Sequence, residues 1–201
     1  LSPRPTPPTT RPKRFCIESC AAPDCAASPE FDVRGLCAPS LERIAAKTGD
    51  TTFLTMRSAF DSVCIDRYEG SYPIRTLTVE IGARRALGST AGGLALLAKL
   101  GDSEVETIVT ANAQRLSRYG ALDSAKLRMM VRRARKLGYA LNHNDIIDGV
   151  TGVGFALTGR PDLPDLALGV AAISSRLDAE RQLEAVEVMR AEAAIIMRRL
   201  A

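Results

Sequence analysis

Thr90-Ala91-Gly92-Gly93 is the stretch of this chain best suited to hold a ligand. Thr90 has the side chain of a helix N-cap, and a mostly apolar run behind it reaches Leu100. The first N–H groups of a helix have no partner within it, and the helix dipole adds partial positive charge there. Small residues let a ligand approach that backbone, so a carboxylate docked on the Ala91 and Gly92 amides is chemically sound. The structural alternative is that Gly92 and Gly93 serve only close packing of the helix on a sheet. Asn142 and His143 are a second polar pair. They could offer groups to a cavity mouth, or belong to a solvated turn, since Asn-His-Asn-Asp is good turn chemistry. Lys126, Arg128, Arg132, Arg133 and Arg135 share one side of a helical run. They read either as a nucleic-acid contact or as the solvated face of an amphipathic helix.

The inventory argues against an enzyme. A Ser-His-Asp arrangement would need His143, the only His, and no nucleophile elbow accompanies it. The Gly-containing stretches 82–88 and 90–93 lack the Lys-Ser/Thr of a phosphate-cradling loop. Gly149-Val-Thr-Gly-Val-Gly154 has the wrong order for a dinucleotide fingerprint, and no helix follows it. Of the five Cys, Cys16, Cys20 and Cys25 are closely spaced but lack the second ligand pair a zinc site needs. Neither a metal nor a cofactor is expected. The odd Cys count and the absence of an apolar signal segment fit a cytoplasmic chain without a disulfide framework. The apolar run Gly92–Ala98 is too short to span a bilayer, so no membrane partner is expected. The net charge of +4 is milder than a dedicated nucleic-acid-binding domain carries.

The elements that must position these residues follow from periodicity. Residues 1–30 are rich in Pro and Cys, without a period, and read as a weakly ordered tail. Its basic cluster Arg11–Arg14 could touch phosphates or be merely solvated. Residues 31–201 read as one domain. A helix is expected over 35–48, ending at Gly49, then strands over 51–58, 62–69 and 74–79. Helices follow from Thr90, from Asp102 and over 124–137, the last with Leu127, Met130, Val131 and Ala134 buried. Strands return over 138–142, 153–158 and 166–173. A long final helix runs to Leu200, with Leu183, Val186, Ala193, Met197 and Leu200 on its apolar face. Hairpin-length links imply an α+β fold with a mostly antiparallel sheet of about six strands and helices packed against it. With aromatics at 4% and no Trp, the core must be aliphatic.

Six stretches in order carry a resemblance. They are Thr48–Leu54, Cys64–Gly70, Ile81-Gly-Ala-Arg-Arg-Ala-Leu-Gly88, Ala91–Ala98, Lys136–Tyr139 and Ala171–Leu177. Together the chain from Phe31 to Ala201 resembles the effector-binding domain of IclR-family transcription regulators. The resemblance implies a GAF- or profilin-like sensor fold, no enzymatic activity, and a small organic or aromatic acid as effector. It also implies a homodimer or tetramer controlling catabolic genes. The helix-start amides that receive a ligand carboxylate fall on Ala91 and Gly92, and an apolar wall falls on Ile74 and Leu77. An acidic pocket position falls on Asn142, further wall positions on Val150 and Gly152, and two Ser positions on Gly169 and Ala171. Asn142, Gly152, Gly169 and Ala171 make such a site roomier and less polar, which favours an aromatic or branched acid over a two-carbon one.

Family members hold operator DNA through a winged helix-turn-helix domain, and residues 1–28 do not supply one. Two explanations are open: a truncated gene product, or a stand-alone sensor that forms hetero-oligomers with full-length relatives. Three functions follow. The first is a ligand-sensing, oligomerising regulator domain. The second is a DNA-binding regulator acting through Arg11–Arg14 or the arginine face at 128–135. The third is an enzyme on a GAF-like fold, which the inventory disfavours.

Overall fold

The computed structural model describes residues 32–120, 122–157 and 164–200. The tail with Arg11–Arg14 and its three Cys lies outside them. Helix α1 (Val33–Thr48) starts where Asp32 accepts the Gly35 N–H and ends at Gly49, whose φ of 73° lets the chain turn. Strands β1 (Thr51–Ser58) and β2 (Asp61–Tyr68) form the expected hairpin through a tight turn at Ala59. Strand β3 is the short segment Arg84–Ala86. Helices α2 (Ala91–Lys99), α3 (Asp102–Leu116) and α4 (Ser124–Leu137) fill the middle. Strands β4 (Ala140–His143), β5 (Val150–Leu157) and β6 (Leu166–Ile173) precede helix α5 (Ala179–Leu200).

The strands make one antiparallel sheet in the order β3-β2-β1-β6-β5-β4. Both chain ends of the fold therefore meet at its centre, where β1 pairs with β6. Side chains alternate across β6. Leu166, Leu168, Val170 and Ala172 join a core with α1 and α5, while Ala167 joins the core of α2, α3 and α4. Helices thus cover both faces, and the α+β expectation holds with α1 and α5 closing the side that the central helices leave open.

Two expectations need correction, and the β1–β2 register adds a departure from plain alternation. Residues 74–79 form no strand. The free edge of β2 is taken instead by residues 82–86: Cys64 exchanges backbone hydrogen bonds with Gly82 and Ala83, and Asp61, Ser62 and Val63 pair with β3. Leu183 is 56% exposed rather than on the buried face of α5. That face runs through Ala185, Val186, Met189, Ala193, Ile196 and Leu200, and Leu183 sits about a third of a turn off it. Finally, the β1–β2 register shifts between Leu54 and Thr55, which oppose Asp66 and Cys64. Cys64 thereby faces α2, whereas Asp66 faces α1 and meets Arg34.

Candidate functional site

The first turn of α2 stands over the middle of the sheet, and an open cavity lies beside it. Ser89, Thr90, Ala91 and Gly92 form its helical wall. Phe53 and Thr55 of β1, Ser62 and Cys64 of β2, and Gly169, Val170 and Ala171 of β6 form its floor. Arg85 of β3 stands at one end; Asn142 of β4 and Val150 and Gly152 of β5 stand at the other. Thr78, Val79, Ala83, Ile146 and Ile147 come from the flanking loops.

Local chemistry fixes the helix start. Thr90 is extended and its Oγ1 accepts the Gly93 N–H at 3.0 Å, while its carbonyl accepts the Leu94 N–H at 2.8 Å. With those two donors used, the amides of Ala91 and Gly92 are the ones left to the cavity. The close approach of α2 depends on missing side chains. A Cβ on Gly92 would lie 2.6 Å from Thr55 Oγ1, and one on Gly154 would run into the Ala91 carbonyl. Close packing is therefore one role of Gly92, and it is the packing that brings the helix start to the cavity.

Among the described residues no Asp or Glu lines the cavity, and Arg85 is the one charged residue that does. The Arg85 Nη2 donates to the Thr78 carbonyl at 3.0 Å, and its guanidinium lies 5.5 Å from the centre of the Tyr119 ring. Cys64 donates to the Asp66 carbonyl at 3.4 Å. Burial pushes its thiol up to about 11, helped by the Asp66 charge and opposed by Arg67, so it presents a neutral surface. Asn142 Oδ1 accepts the Asp145 N–H at 3.2 Å, which leaves its amide N–H groups for the cavity. Burial works to raise the Asp145 carboxyl, but bonds from Lys126 and the His143 N–H, with the Lys126 and Arg133 charges, hold it below the usual range.

Thr90, Ala91, Gly92, Asn142, Val150, Gly152, Gly169 and Ala171 all line this cavity. Ile74 and Leu77 do not: they are 55% and 47% exposed, because their segment is a loop beyond the sheet edge. Thr78 and Val79 form that wall in their place. His143 lies outside it, its Nδ1 paired with Thr151 Oγ1 at 2.9 Å. Three of the four arginines of α4's basic face are engaged within the fold, and Arg132 is exposed. Arg128 pairs with Glu106, Arg133 with Asp145, and Arg135 with Asp102 and the Ala98 and Leu100 carbonyls at the end of α2. Sequence reasoning missed Arg85, Cys64, Thr55 and Ser62. Arg85 lay within the quoted stretch Ile81–Gly88, but no local signal separates it from Arg84, which faces the other way toward Asp61.

The chain has relatives of known kind. It is 25% identical over 160 residues to the HTH-type transcriptional repressor AllR of Escherichia coli (strain K12), covering 79% of this chain and 59% of the relative. A relative of the same name from Salmonella typhi is also 25% identical, with 58% of it covered. The chain thus spans less than two thirds of the length of these relatives. Among solved structures, the fold is similar to Thermotoga maritima IclR, with a TM-score of 0.76, 24% identity, and coverage of 85% of this chain and 69% of that one. It is also similar to the Agrobacterium tumefaciens repressor BlcR, with a TM-score of 0.70, 22% identity, and coverage of 83% and 66%. A family profile described as bacterial transcriptional regulator IclR C-terminal matches residues 25–198. With its six-stranded sheet, helices on both faces and cavity at the start of α2, this chain belongs to the IclR family of transcriptional regulators, in which it represents the C-terminal domain rather than an enzyme.

Proposed function

We propose that this domain senses an organic acid, whose carboxylate sits on the Ala91 and Gly92 amides. The observation that carries this reading is a cavity at a helix start whose wall, among the described residues, holds no carboxylate. An anion there meets backbone donors and the positive end of a dipole, with nothing of like charge beside it. Asn142 adds a hydrogen bond. Phe53, Val79, Ile146 and Val150 offer apolar surface, while Gly152, Gly169 and Ala171 leave room. A two-carbon acid would leave this surface unused, so the effector is a larger aromatic or branched acid. The regulator acts in the cytoplasm as a homodimer or tetramer, alone or together with longer relatives. Operator contact rests with a winged helix-turn-helix domain, and acid binding here alters it. Thermal-shift measurements with glyoxylate, pyruvate, isovalerate, benzoate and 4-hydroxybenzoate test the effector class. A ligand at a hundred times its Kd adds about 2.7 kcal/mol to stability. Stabilisation by the larger acids is expected; stabilisation by glyoxylate-sized acids alone, or by none of these acids, overturns the reading.

A further inference from the structure

We infer that Arg85 makes this site selective for dianions, so that the effector is a dicarboxylate whose second acid group meets the Arg85 guanidinium. The inference rests on the carboxylate reading above and extends it to the far end of the same cavity. Among the described residues, Arg85 is the only Arg or Lys that is shielded from full exposure yet has no carboxylate partner. Its neighbour Arg84 is exposed and paired with Asp61. A half-buried guanidinium without a counter-ion is costly unless something anionic completes it.

The side chain is also held ready. One of its five donors is used on the Thr78 carbonyl, and the Tyr119 ring supports it. Its strand register places Arg85 opposite Ser62, which lines the cavity on the α2 side. Gly92 stands over Thr55 of β1, and β3 is two strands away in the sheet. That separation is roughly 10 Å at ordinary strand spacing. The Arg85 side chain covers part of it, leaving a span suited to a compact dicarboxylate. A planar guanidinium donates two parallel N–H bonds to the second carboxylate, a contact that a monoacid already seated on the α2 amides cannot make.

Calorimetric titration of matched acids tests this: 3-methylglutarate against 3-methylpentanoate, and benzene-1,3-dicarboxylate against benzoate. The wild-type chain is expected to favour at least one diacid over its monoacid by about tenfold or more, the scale of one charged contact. Arg85→Gln should bring that ratio close to one, and Arg85→Lys should keep part of it. A wild-type ratio near one, or a ratio that Arg85→Gln leaves unchanged, overturns the dianion inference while the carboxylate reading stands. Failure of all four acids to bind overturns both. Circular dichroism of the unliganded variants checks their fold. If Arg85→Gln does not fold, the wild-type ratio and its partial retention in Arg85→Lys decide the matter: full retention in Lys at high salt counts against a specific guanidinium contact.

Discussion

Gly92 and Gly154 set how near α2 can come to the sheet, and so whether its amides reach the cavity at all. At Gly154 a methyl group would meet the backbone carbonyl of Ala91, which cannot rotate away. Gly154→Ala should therefore destabilise the domain by about 1–3 kcal/mol, the usual cost of overpacking, as read from urea unfolding. At Gly92 the obstacle is the Thr55 side chain, 2.6 Å from the added Cβ. Gly92→Ala should weaken acid binding by about tenfold, because α2 must lift and its amides with it. Unchanged acid affinity in a folded Gly92→Ala variant would separate the glycine's packing role from any part in binding.

At the scale of elements, the contact between α1 and α5 carries both apolar and charged ties. Met189 of α5 is fully buried, whereas Leu183 projects into solvent. Met189→Ala should cost about 2–5 kcal/mol, and Leu183→Ala less than about 0.5 kcal/mol, in chemical denaturation. Glu192 of α5 is buried and accepts the single Arg43 Nε–H of α1, shared between its two oxygens at 3.0 and 3.1 Å, and an Nη2 N–H at 2.7 Å. Burial works to raise its carboxyl, but the bonds of Arg43 and Ser40 and the charges of Arg43 and Lys47 outweigh it and hold the group below the usual range. A lowered folded-state value means that this tie is fully present above the ordinary Glu value of about 4.3 and is lost as pH falls through the lower one. Stability should accordingly drop with acidification below about pH 4.3, and Glu192→Gln should flatten that part of the profile. An identical pH profile in the variant would assign the acid sensitivity elsewhere.

On the scale of the whole molecule, β1 and β6 lie at the centre of the sheet with helices on both sides, so the open cavity at the start of α2 has the middle of the sheet as its floor. An acid bound there as proposed would touch α2 together with strands from both ends of the fold. The same view bears on DNA. The α4 arginines Arg128, Arg133 and Arg135 are committed to Glu106, Asp145 and Asp102. A gel shift with this chain alone at low salt should show no complex with duplex DNA. A salt-sensitive complex that survives removal of residues 1–30 would instead assign α4 a phosphate-binding role. Light scattering should give a particle mass of two or four times 21.5 kDa; a monomer at micromolar concentration would remove oligomerisation from the proposed role.

Much of the fold was legible along the chain because local physics writes it there. Thr90 caps its helix through its own side chain and Gly49 ends one because a left-handed residue is needed, whereas Gly138, expected to open a strand, is the left-handed end of α4. The strand over 51–58 follows from alternation, Phe53, Thr55 and Arg57 against Leu54 and Met56, and that over 166–173 from a short apolar run. Ordered motifs were enough to place the chain in its family and to point at Ala91, Gly92 and Asn142. What the chain order alone does not encode is which edge a segment pairs with and which way a residue faces after a bulge. Residues 74–79 have strand-like residues, yet the edge of β2 is taken by 82–86. The register shift at Leu54 and Thr55 turns Cys64 toward the cavity and leaves Asp66 on the other face. Arg84 and Arg85 are adjacent and chemically identical, and only pairing across β2 sends one to solvent and the other to the site. Helix starts and turns are decided by neighbours in sequence. The cavity's charge is decided by partners far along the chain, and these meet only once the sheet has closed.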